Sequence, residues 1–250
     1  KLLEATPIFY DLSATNNWQP DLESLDQMDL EGVKIMWINY PHMPTGANAD
    51  VTIFSKLISW AREKGILLIN DNPYSFVLTD KPQSILSVPG AMDVAMELNS
   101  LSKSFNMAGW RVGMVLGNKD NISAVLKVKS NMDSGMFFGI QKGAIAALNA
   151  QKNWFQQLNE VYLERRKLVF DLAALLDTDF DQNSCGLFVW AKLRDTQKTA
   201  VEFIEEILHK HHVFITPGSI FGTQGEGYIR FSLCVDATQI SKAIERISKK

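Results

Sequence analysis

Apolar positions along the chain fall into two rhythms that alternate. Residues 33–38 (Val-Lys-Ile-Met-Trp-Ile) and 66–69 (Ile-Leu-Leu-Ile) are short β-rich runs, and residues 93–98 read as a third strand. Between the first two, Asp50 precedes a helical spacing of Val51, Phe54, Leu57, Ile58 and Ala61, which Gly65 closes. A short strand at 6–10 and a polar turn at 13–19 come before them. Strands that are continuous apolar runs, separated by helices, predict a mostly parallel sheet covered on both faces. Ligands of such sheets sit at the carboxyl ends of the strands. The pattern then predicts helices at 121–130 and 140–150, and a long one over 151–176 with Trp154, Leu158, Val161, Leu168, Leu172 and Leu175 facing a core. Strands at 186–191, 213–215 and 228–233, a helix at 199–211 and a last helix from Ala237 form a smaller α+β unit. The predicted division is a large domain over 1–150 and a small domain over 151–250 that includes the long helix.

The strand at 93–98 leads into Ser100-Leu-Ser-Lys103-Ser-Phe-Asn-Met-Ala-Gly109-Trp-Arg111-Val-Gly113. A lysine at the mouth of a strand can form a Schiff base with an aldehyde. Ser100, Ser102 and Arg111 offer two hydroxyls and a guanidinium to a phosphate. Gly109 and Gly113 let the backbone turn sharply. A phosphate-bearing aldehyde is what pyridoxal 5'-phosphate presents. The stretch resembles the cofactor-lysine signature of the class I/II pyridoxal-phosphate aminotransferases, and the likeness runs through most of the chain. It implies the α/β fold of the aspartate-aminotransferase-like PLP-dependent transferases, a large domain plus a smaller α+β carboxyl-terminal domain.

The same resemblance assigns further roles. Asp71 and Tyr74, just past the run at 66–69, match the Asp-x-x-Tyr that pairs a carboxylate with the pyridine nitrogen and a phenol with the ring oxygen. An adjacent anion favours the protonated ring, which then accepts electrons. Lys103 is the catalytic residue that holds the cofactor and shuttles the substrate proton. Ser100, Ser102 and Arg111 hold the phosphate. Arg230, in Tyr-Ile-Arg-Phe-Ser after Pro217-Gly218-Ser-Ile-Phe221-Gly222, matches the arginine that clamps the substrate α-carboxylate, a task for which its planar fork is suited. The chain departs from the family in Asn39-Tyr-Pro-His-Met-Pro-Thr-Gly46, where Met43 stands in place of the usual Asn before Pro-Thr-Gly. Methionine cannot donate a hydrogen bond. The task of that donor falls to Tyr74, with His42 as an alternative.

Composition narrows the class without deciding it. The 250 residues are 46% hydrophobic and 21% charged with a net charge of −3, which argues against nucleic acid or an anionic membrane as partner. Cys185 and Cys234 sit singly in apolar runs and read as buried packing residues in a reducing cytoplasm. Three of the four histidines, His209, His211 and His212, cluster at a helix end, and no metal site is expected. No apolar run reaches membrane-spanning length. Residues 1–7 lack the apolar core of a signal peptide, and the chain reads as opening in mid-domain, truncated at its amino end. The expected function is amine transfer from an L-amino acid to a 2-oxo acid by a homodimer. A C–S lyase of the same fold and a cofactor-sensing regulatory module stand as alternatives.

Overall fold

Two four-stranded sheets are joined by one long helix in the computed structural model, which describes residues 4–194 and 197–249. The opening Lys1-Leu-Leu stretch lies outside the described residues. The first sheet has the order β1 (Ile35–Asn39), β2 (Leu67–Asp71), β3 (Ala95–Ser100) and β4 (Gly113–Leu116). The pairs β1–β2 and β2–β3 are parallel, and β3–β4 is antiparallel. Helix α1 (Leu22–Asp26) precedes it, and α2 (Val51–Lys64) crosses from β1 to β2. Asp50 caps α2 by accepting from the Ile53 N–H at 2.9 Å, and Gly65 ends it in the left-handed region at φ 67°. Met36 and Ile38 of β1 bury against Phe54 and Leu57 of α2. Each such side chain contributes about 1.5–3 kcal/mol when fully buried.

The opposite face of this sheet departs from expectation. Ile35 and Trp37 point away from α2, and Trp37 is 56% exposed, so this face is open at β1, while Ile69 of β2 and Met96 of β3, in register with Trp37 on the same face, are buried. Past the helical turn α3 (Ala91–Val94), the turn α4 (Leu101–Ser104) and β4 come two more helices, α5 (Lys119–Met132) and α6 (Phe138–Leu148). Neither contains a buried residue.

Helix α7 (Trp154–Leu175) leads to the second sheet, ordered β5 (Thr178–Phe180), β6 (Phe188–Leu193), β8 (Tyr228–Ser232), β7 (Thr216–Pro217) and antiparallel throughout. With α8 (Ala200–His211) and α9 (Ala237–Ser248) it encloses a continuous core built on Val189, Ile204, Ile229 and Leu233. Thr199 and Glu202 form a capping box at the start of α8. Tyr74 and Val77, from the loop after β2, belong to this same core.

Several local expectations are corrected. Residues 6–10 form no strand: Phe9 is 84% exposed, and β propensity without a neighbouring edge does not make a ladder. Asp93 and Val94 belong to the turn α3, so the third strand starts at Ala95. Residues 213–215 leave the left-handed His212 cap and come into register with β8 only at Thr216. The buried stripe of α7 is Tyr162, Val169, Leu172 and Ala173, while Val161 and Leu175 are exposed, because β5 and α9 pack on the adjoining side. Cys185 is buried, but Cys234 is exposed just beyond β8.

Candidate active site

The carboxyl ends of β1 and β2 lie side by side because their register pairs Asn39 with Asp71 and, one strand over, Asp71 with Leu98. Asn39 locks this edge: its Nδ2 donates to the Asp71 carbonyl at 2.6 Å, and its Oδ1 accepts from the Met43 N–H at 2.8 Å. Beneath them Asn70 accepts from the Tyr40 N–H at 3.0 Å and donates to Glu97 at 3.2 Å, which ties three strands with buried polar groups. The sequence reading passed over Asn39, Asn70 and Glu97. Their signal was a polar residue inside an otherwise apolar strand.

The loop from Tyr40 to Gly46 closes over this edge, with cis bonds before Pro41 and Pro44. Gly46 has φ 72°, and a Cβ there would stand 2.7 Å from the Ser184 Cβ, so the loop seats directly on the entry to the second sheet. The Cys185 N–H donates to the Gly46 carbonyl at 2.8 Å. His42 is largely buried, its Nδ1 2.8 Å from the Thr45 hydroxyl, and burial pushes its pKa down to about 4. The imidazole is therefore neutral at neutral pH, and one nitrogen is already engaged.

A cavity of about 430 Å³ opens between the sheets, lined by Trp18, Asn39, Tyr40, His42, Asp71 and Trp190 among others. That volume falls within the range of small-molecule sites. Partial desolvation holds the Asp71 carboxyl above its usual range. Tyr74 is buried against Phe188, and burial, with Asp71 adding to it and Arg230 opposing, pushes its phenol up to about 12. Arg230 reaches across from β8. Its guanidinium lies between the rings of Phe188 and Phe221, at 4.2 and 4.6 Å, and Nη1 touches the Met43 sulfur at 3.5 Å. Its Nε is buried without a hydrogen-bond partner, and desolvation lowers its pKa. The Phe188–Phe221 clamp was also unread in the sequence.

Tyr74 is thus brought into electrostatic reach of both Asp71 and Arg230. The lysine stretch forms a second, adjacent group. Lys103 sits on α4 and, among the described residues, makes no hydrogen bond or ion pair. Ser100 ends β3 and caps α4, its Oγ accepting from the Ser102 N–H at 3.1 Å. Arg111 is exposed at φ 54° and donates to the Ala108 carbonyl at 2.8 Å. Ser100 and Arg111 therefore already serve the local fold.

A mostly parallel sheet with site loops at its carboxyl edge, met by an arginine from a smaller antiparallel sheet, defines a PLP-dependent transferase of the aspartate-aminotransferase-like fold. The chain belongs to the family of class I and II aminotransferases, whose model matches residues 1–247. It is similar to the LL-diaminopimelate aminotransferase of Aquifex aeolicus, at 39% identity over 97% of this chain and 63% of that protein. Among solved structures, apo-BacF from Bacillus subtilis superposes with a TM-score of 0.89 at 36% identity, over 95% of this chain and 61% of that one. An aspartate aminotransferase from Thermotoga maritima gives a TM-score of 0.83 at 28% identity, over 94% and 61%. The chain therefore spans about three-fifths of the length of these relatives.

The residues present fit pyridoxal 5'-phosphate, the cofactor of this family. A carboxylate lifted by desolvation gains most from a cationic partner, which a protonated ring nitrogen supplies to Asp71. A buried, unpartnered guanidinium edge on Arg230 calls for an anion.

Proposed function

We propose that the protein is a pyridoxal-phosphate-dependent aminotransferase that moves the amine of an L-amino acid to a 2-oxo acid in two stages. The observation that carries this is Arg230, a half-buried guanidinium with an unpartnered Nε, flanked by two aromatic faces and coupled to Tyr74. Removing a guanidinium from water without an anion is costly, so the site is built for a carboxylate. When bound, the cofactor supplies an electron sink for the pair left at the substrate Cα. With the cofactor bound, Lys103 would act as the general base that takes the proton from the substrate Cα and carries it back in the second half of the proton shuttle. Tyr74, with its phenol pushed up to about 12, stays protonated and donates to the ring oxygen. Asp71 would pair with the ring nitrogen, and Ser100, Ser102 and Arg111 would hold the phosphate. Arg230 would bind and orient the substrate's α-carboxylate.

The amino donor in this reading is a diamino dicarboxylic acid of the LL-diaminopimelate type, as the Aquifex aeolicus relative's name suggests. We place the domain division at 150/151 and read the working protein as a cytoplasmic homodimer. Among the described residues no helix is long and apolar enough to cross a membrane. The test is a spectral screen of half-reactions with the full-length protein against the common amino acids and LL-diaminopimelate. Conversion of the bound cofactor to its amine form by a diamino dicarboxylate, and back by a 2-oxo acid, is expected. Ammonia release without amine transfer would identify a lyase instead. Arg230→Lys should weaken all carboxylate donors by about 1.5–3 kcal/mol through loss of the bidentate pair. A loss confined to dicarboxylic donors would move Arg230 to the side-chain pocket.

A further inference from the structure

Lys103 and Tyr74 stand on loops that follow neighbouring strands, β3 and β2. The last backbone bond between those strands is the Asn72 N–H to the Leu98 carbonyl at 2.8 Å. Beyond it, no hydrogen bond among the described residues joins the loop at 73–78 to the loop at 101–107. Both are bonded to the first two turns of α7 instead, and the 73–78 loop is bonded as well to Gly186, whose N–H donates to the Val77 carbonyl at 2.8 Å. Trp154 Nε1 donates to the carbonyl of Ser104, next to Lys103, at 2.9 Å. Asn159 uses both ends of its amide on the other loop: Oδ1 accepts from the Leu78 N–H at 2.9 Å, and Nδ2 donates to the Phe76 carbonyl at 3.2 Å. Between these bonds runs a row of rings. Phe155 stacks on Phe76 at 4.7 Å and touches Phe105 at 5.4 Å, and Phe105 lies parallel to Trp154 at 6.4 Å. Phe155 and Asn159, four residues apart, share one face of the helix.

We propose that this end of α7 is the platform that fixes the two site loops relative to each other, with Trp154, Phe155 and Asn159 as positioning residues. None of them belongs to the lysine signature or the Asp-x-x-Tyr. The physical need is plain. Parallel register aligns the strand ends, but a loop several residues past its strand needs a third body to hold its side chains to the fraction of an ångström that proton transfer requires. A helix that reaches both loops supplies it. Asn159 also satisfies one donor and one acceptor of a loop that has no ladder of its own. Because α7 runs on into the core of the second sheet, the spacing of Lys103 and Tyr74 becomes linked to the element that carries Arg230.

The inference rests on the roles proposed for Lys103 and Tyr74, and the experiment separates the two. Asn159→Ala, Asn159→Asp and Trp154→Phe would be made in the full-length protein. Amide hydrogen exchange is first measured without cofactor. Asn159→Ala should speed exchange at Leu78 about tenfold or more while the sheet cores stay protected, and Asn159→Asp, which keeps the acceptor for that N–H, should restore much of the protection. In the loaded enzyme kcat should fall about ten- to a hundredfold in Asn159→Ala, with KM for a carboxylate donor held within about threefold because Arg230 is undisturbed. Trp154→Phe keeps the ring and loses only the bond to Ser104, so kcat should drop several-fold at an unchanged unfolding midpoint. Faster Leu78 exchange with unaltered kcat in Asn159→Ala would overturn the proposal, and so would accelerated exchange through the whole chain. If Lys103→Ala turned over normally, the reading of the site itself would fail, whatever Asn159 does.

Discussion

The two sheets differ in how much of their apolar surface finds a partner. The antiparallel sheet, β5 to β8, is wrapped by α7, α8 and α9 around a continuous core, and Ile229 and Val189 at its centre are fully buried. The sheet that carries Asp71 and Lys103 buries one face against α2; on the other, Ile69 and Met96 are buried but Trp37 at the edge is exposed, as are Met132 of α5 at 74% and Phe138 of α6 at 65%. The antiparallel sheet contributes one clamp, Arg230, while the other contributes the loops that carry the remaining site residues. Each half therefore has a core of its own, and the half that carries Lys103 leaves more apolar surface exposed on β1, α5 and α6.

Lys103→Ala sharpens this contrast most. Turnover should fall by about 10²–10⁴ or more, as expected on loss of a general base, with the unfolding midpoint unchanged. Wild-type turnover in this variant would remove the site assignment altogether. The reverse experiment pairs Ile229→Ala with Leu126→Ala. The first empties a fully buried position of β8 and should cost about 2–5 kcal/mol. The second trims an exposed residue of α5 and should stay within about 0.5 kcal/mol. Equal costs by urea titration would show that the two halves are not packed as differently as the contrast demands.

Acid should act through the loop between the sheets. His42 has its pKa depressed from 6.5 to about 4 by burial, so the unfolded chain takes up the proton first as pH falls. Its contribution is present above 6.5 and is lost between 6.5 and 4, by up to about 3 kcal/mol. His42→Asn should flatten that part of the stability profile, measured by denaturant midpoints at pH 7, 5.5 and 4. An identical profile in the variant would mean that the imidazole is hydrated in solution.

The smallest effect concerns Met43, whose sulfur touches Arg230 at 3.5 Å and can donate nothing to a neighbouring oxygen. With the cofactor bound, Met43→Asn would supply the donor to the ring oxygen that the family resemblance assigns to this position and would stabilise the oxygen's anion. The pH midpoint of the bound cofactor's visible absorbance should drop, by a shift worth on the order of 1 kcal/mol. An unchanged midpoint would place another donor there already, His42 through its remaining nitrogen or a water.

Local chemistry was legible where one stretch of chain contains its own reason. The Asp50 cap, the Gly65 stop and the buried strand β2 after them follow from spacing, since the partners lie within a few residues or a period. The lysine stretch and Asp-x-x-Tyr were legible for the same reason, each being a short run whose chemistry is complete in its side chains. Residues 6–10 misled because their β character needed an edge to pair with, and the stripe on α7 slipped because a 3.6-residue period fixes a face only once the neighbour is known.

The sequence by itself determined the family and the alternation of strands and helices through most of the chain, and it offered Lys103, Asp71, Tyr74 and Arg230 as site candidates. The tertiary structure alone decided which of them meet. Arg230 lies 187 residues from the Met43 it touches, and Asn159 lies more than 80 from the loop it holds. It also decided that Ser100 caps α4, that His42 is largely buried and neutral, and that Trp37 stands exposed while Ile69 and Met96 beside it are buried. The physical reason is that burial and long-range hydrogen bonding belong to pairs of surfaces brought together by the whole fold, while propensity and spacing belong to a single segment of chain.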